Sequence, residues 1–180
     1  MVGRQCPALS VAGMKLSDRE HTAVVVDFAG KLIADDAIPR RPGPMSLPEI
    51  LEIVPDRALL ALLDGPRGGL GVIMLGPTVT ATLIEKQTLG KLGTQPPVPR
   101  KASRIDAAMV AGVIDRALAG LDETLADEAD LIWAGGFRYA SYLEDPRPLG
   151  LMLEDEAFRV LSADVALGGE GREGRVILVL

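Results

Sequence analysis

The chain has 180 residues, 48% of them hydrophobic but only 3% aromatic, and a formal net charge of −6. That length supports a single domain with a substantial, mainly aliphatic core. The acidic balance and the scattered basic residues argue against general nucleic-acid binding, which needs clustered Lys and Arg to neutralise phosphates.

The first 20 residues are expected to be weakly structured, with residues 21–180 forming the domain. Pro7–Lys15 has a weak helical pattern. His21–Ile33 (HTAVVVDFAGKLI) is valine-rich and predicts a strand with a turn at Gly30. Ile38–Pro44 is expected to be a loop, because three prolines and a glycine cannot hold a ladder. Ser46 is a possible cap for a short helical turn that Pro55 ends. Ala58–Asp64 and Gly71–Leu75 are apolar runs around a glycine-rich turn, which predicts a β-hairpin.

Pro77–Leu89 predicts a helix, with proline at its first position and Gly90 just past its end. Gly90–Lys101 (GKLGTQPPVPRK) has no period and three prolines, and is expected to be an exposed loop. Arg104–Ala126 is the clearest helix. Ser103 and Asp106 form its capping box, and Ile105, Met109, Val113, Ala117, Leu121 and Leu125 recur every four residues. Val110, Ile114 and Leu118 widen that stripe, with Asp115, Arg116, Asp122 and Glu123 expected opposite. Leu131–Tyr142 predicts a strand bulged near Gly135-Gly136, with Trp133, Phe137, Tyr139 and Tyr142 packing one sheet face. After a turn at Asp145–Pro148, Phe158–Leu180 repeats the hairpin pattern. Two hairpins with helices between them predict helices packed on a largely antiparallel or mixed sheet.

Few motifs carry chemistry. Gly169, Gly171 and Gly174 match G-x-G-x-x-G, but a dinucleotide loop must open a helix, and RVILVL follows here. A hairpin turn is the better reading. His21 is the single histidine and lies at a strand edge, where a surface role outweighs that of a catalytic base. Cys6 is the single cysteine, so the usual zinc sets are unavailable and no internal disulfide forms, which fits a reducing compartment. Glu154-Asp155-Glu156 and Asp35-Asp36 are expected to be solvated acidic turns rather than cation sites, since strand neighbours face opposite sides. Gly68–Ile84 is uncharged but short of the roughly 20 residues a membrane span needs, and Met1–Ser17 lacks the apolar stretch of a signal peptide. No cofactor or metal is expected. The most suggestive surface is the loop Gly90–Lys101, which offers Lys91, Arg100, Lys101 and an exposed Leu92 to a protein partner.

The order of pieces resembles a known family. GVIMLGPTVTATLIEKQTLGKLG, the helix SRIDAAMVAGVIDRALAGL, then FRYASYLEDPRP and VALGGEGREGRVILVL together resemble the middle domain of FliM, a flagellar motor switch protein of the cytoplasmic C-ring, in an alphaproteobacterial style. The similarity covers roughly residues 22–180. It implies a pseudo-two-fold α/β/α sandwich, an α/β fold shared with the CheC and CheX chemotaxis phosphatases. In that family a G-G-x-G loop contacts the rotor protein FliG; the matching stretch here places Gly90, Lys91, Leu92 and Gly93 as the partner-binding loop. The resemblance further implies a FliN-like ring protein and neighbouring copies of the chain as partners, with a CheY-like response regulator as a further one. It implies a cytoplasmic place at the flagellar basal body, touching the inner membrane only through that assembly. Met1–Glu20 shows no CheY-capture motif and no C-terminal FliN-joining domain follows, so the chain is expected to be a fragment or a reduced relative.

Phosphatase activity is not expected. CheC-type enzymes use Glu-x-x-Asn on a helix, and this chain has no asparagine. Each glutamine follows an apolar residue three positions earlier: Val2 before Gln5, Ile84 before Gln87, Leu92 before Gln95. The expected role is therefore a non-enzymatic part of the motor switch. A type III secretion ring component is the first alternative, and a small-molecule sensor binding in a cleft of the frame the second.

Overall fold

The computed structural model describes residues 10–16, 20–27, 32–39, 44–125, 131–153, 157–168 and 171–180, the first three spans as backbone alone. Those three spans are strands β1 (Ser10–Leu16), β2 (Glu20–Asp27) and β3 (Leu32–Pro39), which form an antiparallel sheet in that order. β1 replaces the weak helix expected over Pro7–Lys15. SVAGMKL carries Gly13 and β-branched Val11, both poor helix formers, and it gains a valine-rich partner in β2. The single strand expected over His21–Ile33 is two, and Ile38 and Pro39, expected in a loop, belong to β3. Pro39 still pairs with Glu20, which an edge strand permits. The turn expected at Gly30 lies outside the described residues, as do Cys6 and Glu154–Glu156.

The second sheet has five strands. Helix α1 (Leu47–Glu52) precedes β4 (Leu59–Asp64) and β5 (Leu70–Leu75), with a 3₁₀ turn at Pro66–Gly68 between them. Helices α2 (Pro77–Leu89), α3 (Arg104–Thr124) and α4 (Leu131–Ala134) follow. Then come β6 (Arg138–Leu143), α5 (Leu149–Met152), β7 (Val160–Ala166) and β8 (Glu173–Val179). The strand order is β6-β4-β5-β8-β7, with every neighbour antiparallel. The two predicted hairpins thus exist and meet through their second strands. This is the expected α+β architecture.

Side-chain alternation divides the core into two. Leu59, Ala61, Leu63, Ile73, Leu75 and Leu178 face the long helices, where they meet Val79, Ala107, Val110, Ile114 and Leu118. Leu60, Leu62, Val72, Met74, Ile177 and Val179 face the other way, onto Ile50 of α1 and Leu149 and Leu153 around α5. Hence β4 is buried on both faces, and this antiparallel strand shows the continuous apolar run usual for parallel sheets. Burying such side chains contributes roughly 2 kcal/mol each.

Three local expectations change. Leu131–Ala134 is a helical turn rather than part of a strand, and β6 starts only after Gly136 turns the chain at φ 82°. Second, α3 buries Ala107, Val110, Ile114 and Leu118, while Ile105 is 74% exposed and Met109, Val113 and Leu121 lie at the margin. The core line follows the narrower set because one face alone meets the sheet. Third, Asp115 and Asp122 do not point away from the packing. Asp115 accepts the Tyr139 N–H (2.7 Å), and Asp122 accepts the Gly136 N–H (3.0 Å) and pairs with Arg138 (2.8 Å).

Candidate functional site

The loop between α2 and α3 is the candidate contact surface, and its shape comes from both ends. Gly90 ends α2 in the left-handed region (φ 69°), where glycine carries no Cβ penalty, and Lys86 Nζ donates to its carbonyl at 2.9 Å. At the far end Arg100 grips Asp106 with two hydrogen bonds of 2.6 and 2.8 Å. Asp106 also accepts the Ser103 N–H at 2.7 Å, which completes the predicted capping box of α3. These donors, the Arg100 guanidinium first, hold the Asp106 carboxyl down at about 2. Tyr142 Oη donates to the Ala102 carbonyl at 2.8 Å and ties the same end to β6.

The middle of the loop is held from across the molecule. Arg172, in the turn between β7 and β8, is only 3% exposed. Its guanidinium donates to the Glu85 carboxylate on α2, to the Gly93 carbonyl (3.0 Å) and to the Gln95 carbonyl (2.6 Å). Glu85 in turn accepts the Gly93 N–H at 3.1 Å. The Arg172 hydrogen bond, set against the cost of burial, keeps the Glu85 carboxyl below its usual range. The turn fits closely against the loop. A Cβ on Gly168 would lie 2.6 Å from Leu92 Cδ1, and one on Gly171 would lie 3.0 Å from Pro96 Cγ. Gly168 and Gly171 also have positive φ; Gly171 belongs to the G-x-G-x-x-G match, whose Gly169 lies outside the described residues, and β8 follows the match rather than a helix.

The four residues of the expected binding loop are therefore placed differently from one another. Gly90, Lys91 and Gly93 are exposed, whereas Leu92, expected to be exposed, is half-buried against the second hairpin's turn. Further along, Val98 is 84% exposed. Between the loop and α2 lies an open cleft of about 310 Å³, lined by Ala81, Ile84, Leu89, Pro97 and Val98, with Glu85, Arg100 and Asp106 among its polar groups. Sequence reasoning missed Glu85 and Arg172. Their pairing spans 87 positions, and nothing local marks an arginine in GEGREG as buried.

Of the other singled-out residues, Tyr142 reaches this surface through its bond to the Ala102 carbonyl. His21 lies on β2, and Asp35-Asp36, expected in a turn, lie within strand β3 opposite Val24 and Ala23. Phe137 is buried in the helix-side core, and Trp133, Tyr139 and Tyr142 pack against that core. The Arg159 guanidinium sits 4.3 Å from the Trp133 ring centroid. Tyr139 and Tyr142 share a face despite their odd spacing, because the β4–β6 register skips Ala140. Among the described residues no His, Cys, Asp and Glu side chains converge as a metal site would need, and no helix is long and apolar enough to cross a membrane.

No family model and no curated protein matches the chain. Its fold is similar to that of a chain in a crystal structure of a FliG–FliM complex from H. pylori, with a TM-score of 0.59 at 15% identity. The likeness covers 76% of this chain and 71% of that one. At that identity the likeness shows a shared fold.

Proposed function

We propose that this chain is a FliM-middle-domain-like, non-enzymatic component of a flagellar motor switch. In this reading it works at the cytoplasmic face of the basal body through contacts between proteins. The observation that carries the reading is the fold likeness to a chain of a FliG–FliM complex. The order of sequence segments resembling the FliM middle domain supports it independently. So does the braced loop, an exposed segment on a rigid frame of the kind that carries binding.

The partner at Gly90–Gly93 is then a FliG-like rotor protein. Ile105, Ile132 and Leu151 are exposed apolar side chains on helices, and would serve packing against neighbouring copies or a FliN-like ring protein. Switching is a rigid-body tilt of the domain, biased by a partner with different affinities for the two orientations; a CheY-like regulator would act this way.

The test is capture of a FliG-like rotor protein from the same organism by the full chain, alongside swimming of a deletion strain. Capture is expected, weakened about tenfold by Lys91→Glu, a loss near 1.4 kcal/mol. Lys91 is the cleaner probe because Leu92→Asp would also disturb the packing on Gly168. Loss of swimming on deletion is the matching expectation. Unchanged capture with Lys91→Glu overturns the loop assignment, and normal motility in the deletion strain overturns the motor role.

A further inference from the structure

We infer that Arg172 is a positioning residue for the α2–α3 loop: from the other hairpin it holds Gly93–Gln95 in a preformed, partner-ready shape. This inference rests on the reading of the loop as a rotor-protein contact.

The argument is one of hydrogen-bond direction and burial. Arg172 is nearly inaccessible, and its donors reach away from its own hairpin, to Glu85 on α2 and to two loop carbonyls. A buried guanidinium is costly unless paired and fully hydrogen-bonded, so the loop carbonyls are part of what makes the buried pair tolerable. The fork of Nη1 and Nη2 fixes two directions at once, which a lysine ammonium does not do. Glu85 closes the circuit by accepting the Gly93 N–H. The 93–95 backbone is therefore held on both its N–H and C=O sides by one ion pair. Gly168 and Gly171 allow the hairpin turn to approach Leu92 and Pro96 closely enough for this. A loop fixed before contact loses less conformational freedom on binding, so its affinity for a partner is higher.

The experiment compares the wild-type chain with Arg172→Ala and Arg172→Lys. Three readouts are taken on each: melting temperature, exchange of the Gly93 amide together with tryptic cleavage after Lys91, and capture of the FliG-like rotor protein. The expected result is that Arg172→Ala speeds Gly93 exchange and cleavage by at least about tenfold and weakens capture by a similar factor. Arg172→Lys, which keeps the charge but loses the fork, is expected to recover part of both while melting close to wild type. Unchanged loop exchange in Arg172→Ala overturns the proposal, and so does a loosened loop with capture intact. If Arg172→Ala does not fold, the lysine variant decides by the same two criteria. Wild-type protein that captures no rotor protein overturns the underlying reading of the loop and this inference with it. The wild-type sample tells that outcome apart from failure of the proposal alone.

Discussion

Asp106 is the most heavily committed carboxylate among the described residues, receiving two Arg100 hydrogen bonds and the Ser103 N–H and hydroxyl while almost fully buried. Its carboxyl titrates near 2 in the folded chain against an ordinary value of 3.8. At pH values well above 4 it is ionised in folded and unfolded chains alike, and the stabilisation is complete. As pH falls through the ordinary value the unfolded chain takes up its proton first, so the advantage shrinks and is gone below about 2. Because Arg100 is largely exposed, the contribution is about 1–2 kcal/mol rather than the full linkage value. Glu85, also held low, acts in the same direction. Urea titrations from pH 6 to pH 2.5 should show the wild type losing most of this increment, while the gap between it and Asp106→Asn narrows. A constant gap across that range would mean that the ion pair does not stabilise the fold.

At the scale of elements, α3 shows what a periodic pattern does and does not reveal. The capping box at Ser103 and the helix itself were legible, because both are local: a hydroxyl and a carboxylate three residues apart, then apolar positions at helical spacing. The buried line was not, since a stripe this wide leaves open which edge meets the sheet. Ile114→Ala should cost about 2–5 kcal/mol, as deep aliphatic truncations do, whereas Ile105→Ala should change stability by less than about 0.5 kcal/mol. Denaturant midpoints with an unchanged slope would check both; equal costs would show that the helix packs on a different face. The bulge at Ala140 escaped notice for a related reason. The shared face of Tyr139 and Tyr142 was expected, but the register that lets two oddly spaced residues share it shows only once the partner strand is known, where Leu63 and Leu62 of β4 pair with Tyr139 and Ser141. Helices as short as α4 and α5 are likewise set by what they pack against rather than by their own four residues.

For the molecule as a whole, both hairpins and the helices α1, α2 and α3 could be read in advance, since each is announced by glycine, proline or capping residues around apolar runs. What joins them could not. The Arg172–Glu85 link and the pairing of β5 with β8 are contacts between distant segments, and composition carries no record of partners. The doubly buried β4 has a consequence for how the protein comes to be made. LLALLD and its neighbour LGVIML can close into a hairpin early, being adjacent in the chain. Val72, however, finds Val179 only after more than a hundred further residues have been synthesised, so sticky faces and an open hydrogen-bonding edge stand bare meanwhile. Self-association should therefore compete with maturation. Refolding from urea is expected to give falling yields and rising light scattering as protein concentration increases. Yields independent of concentration would show that the early hairpin is shielded while it waits.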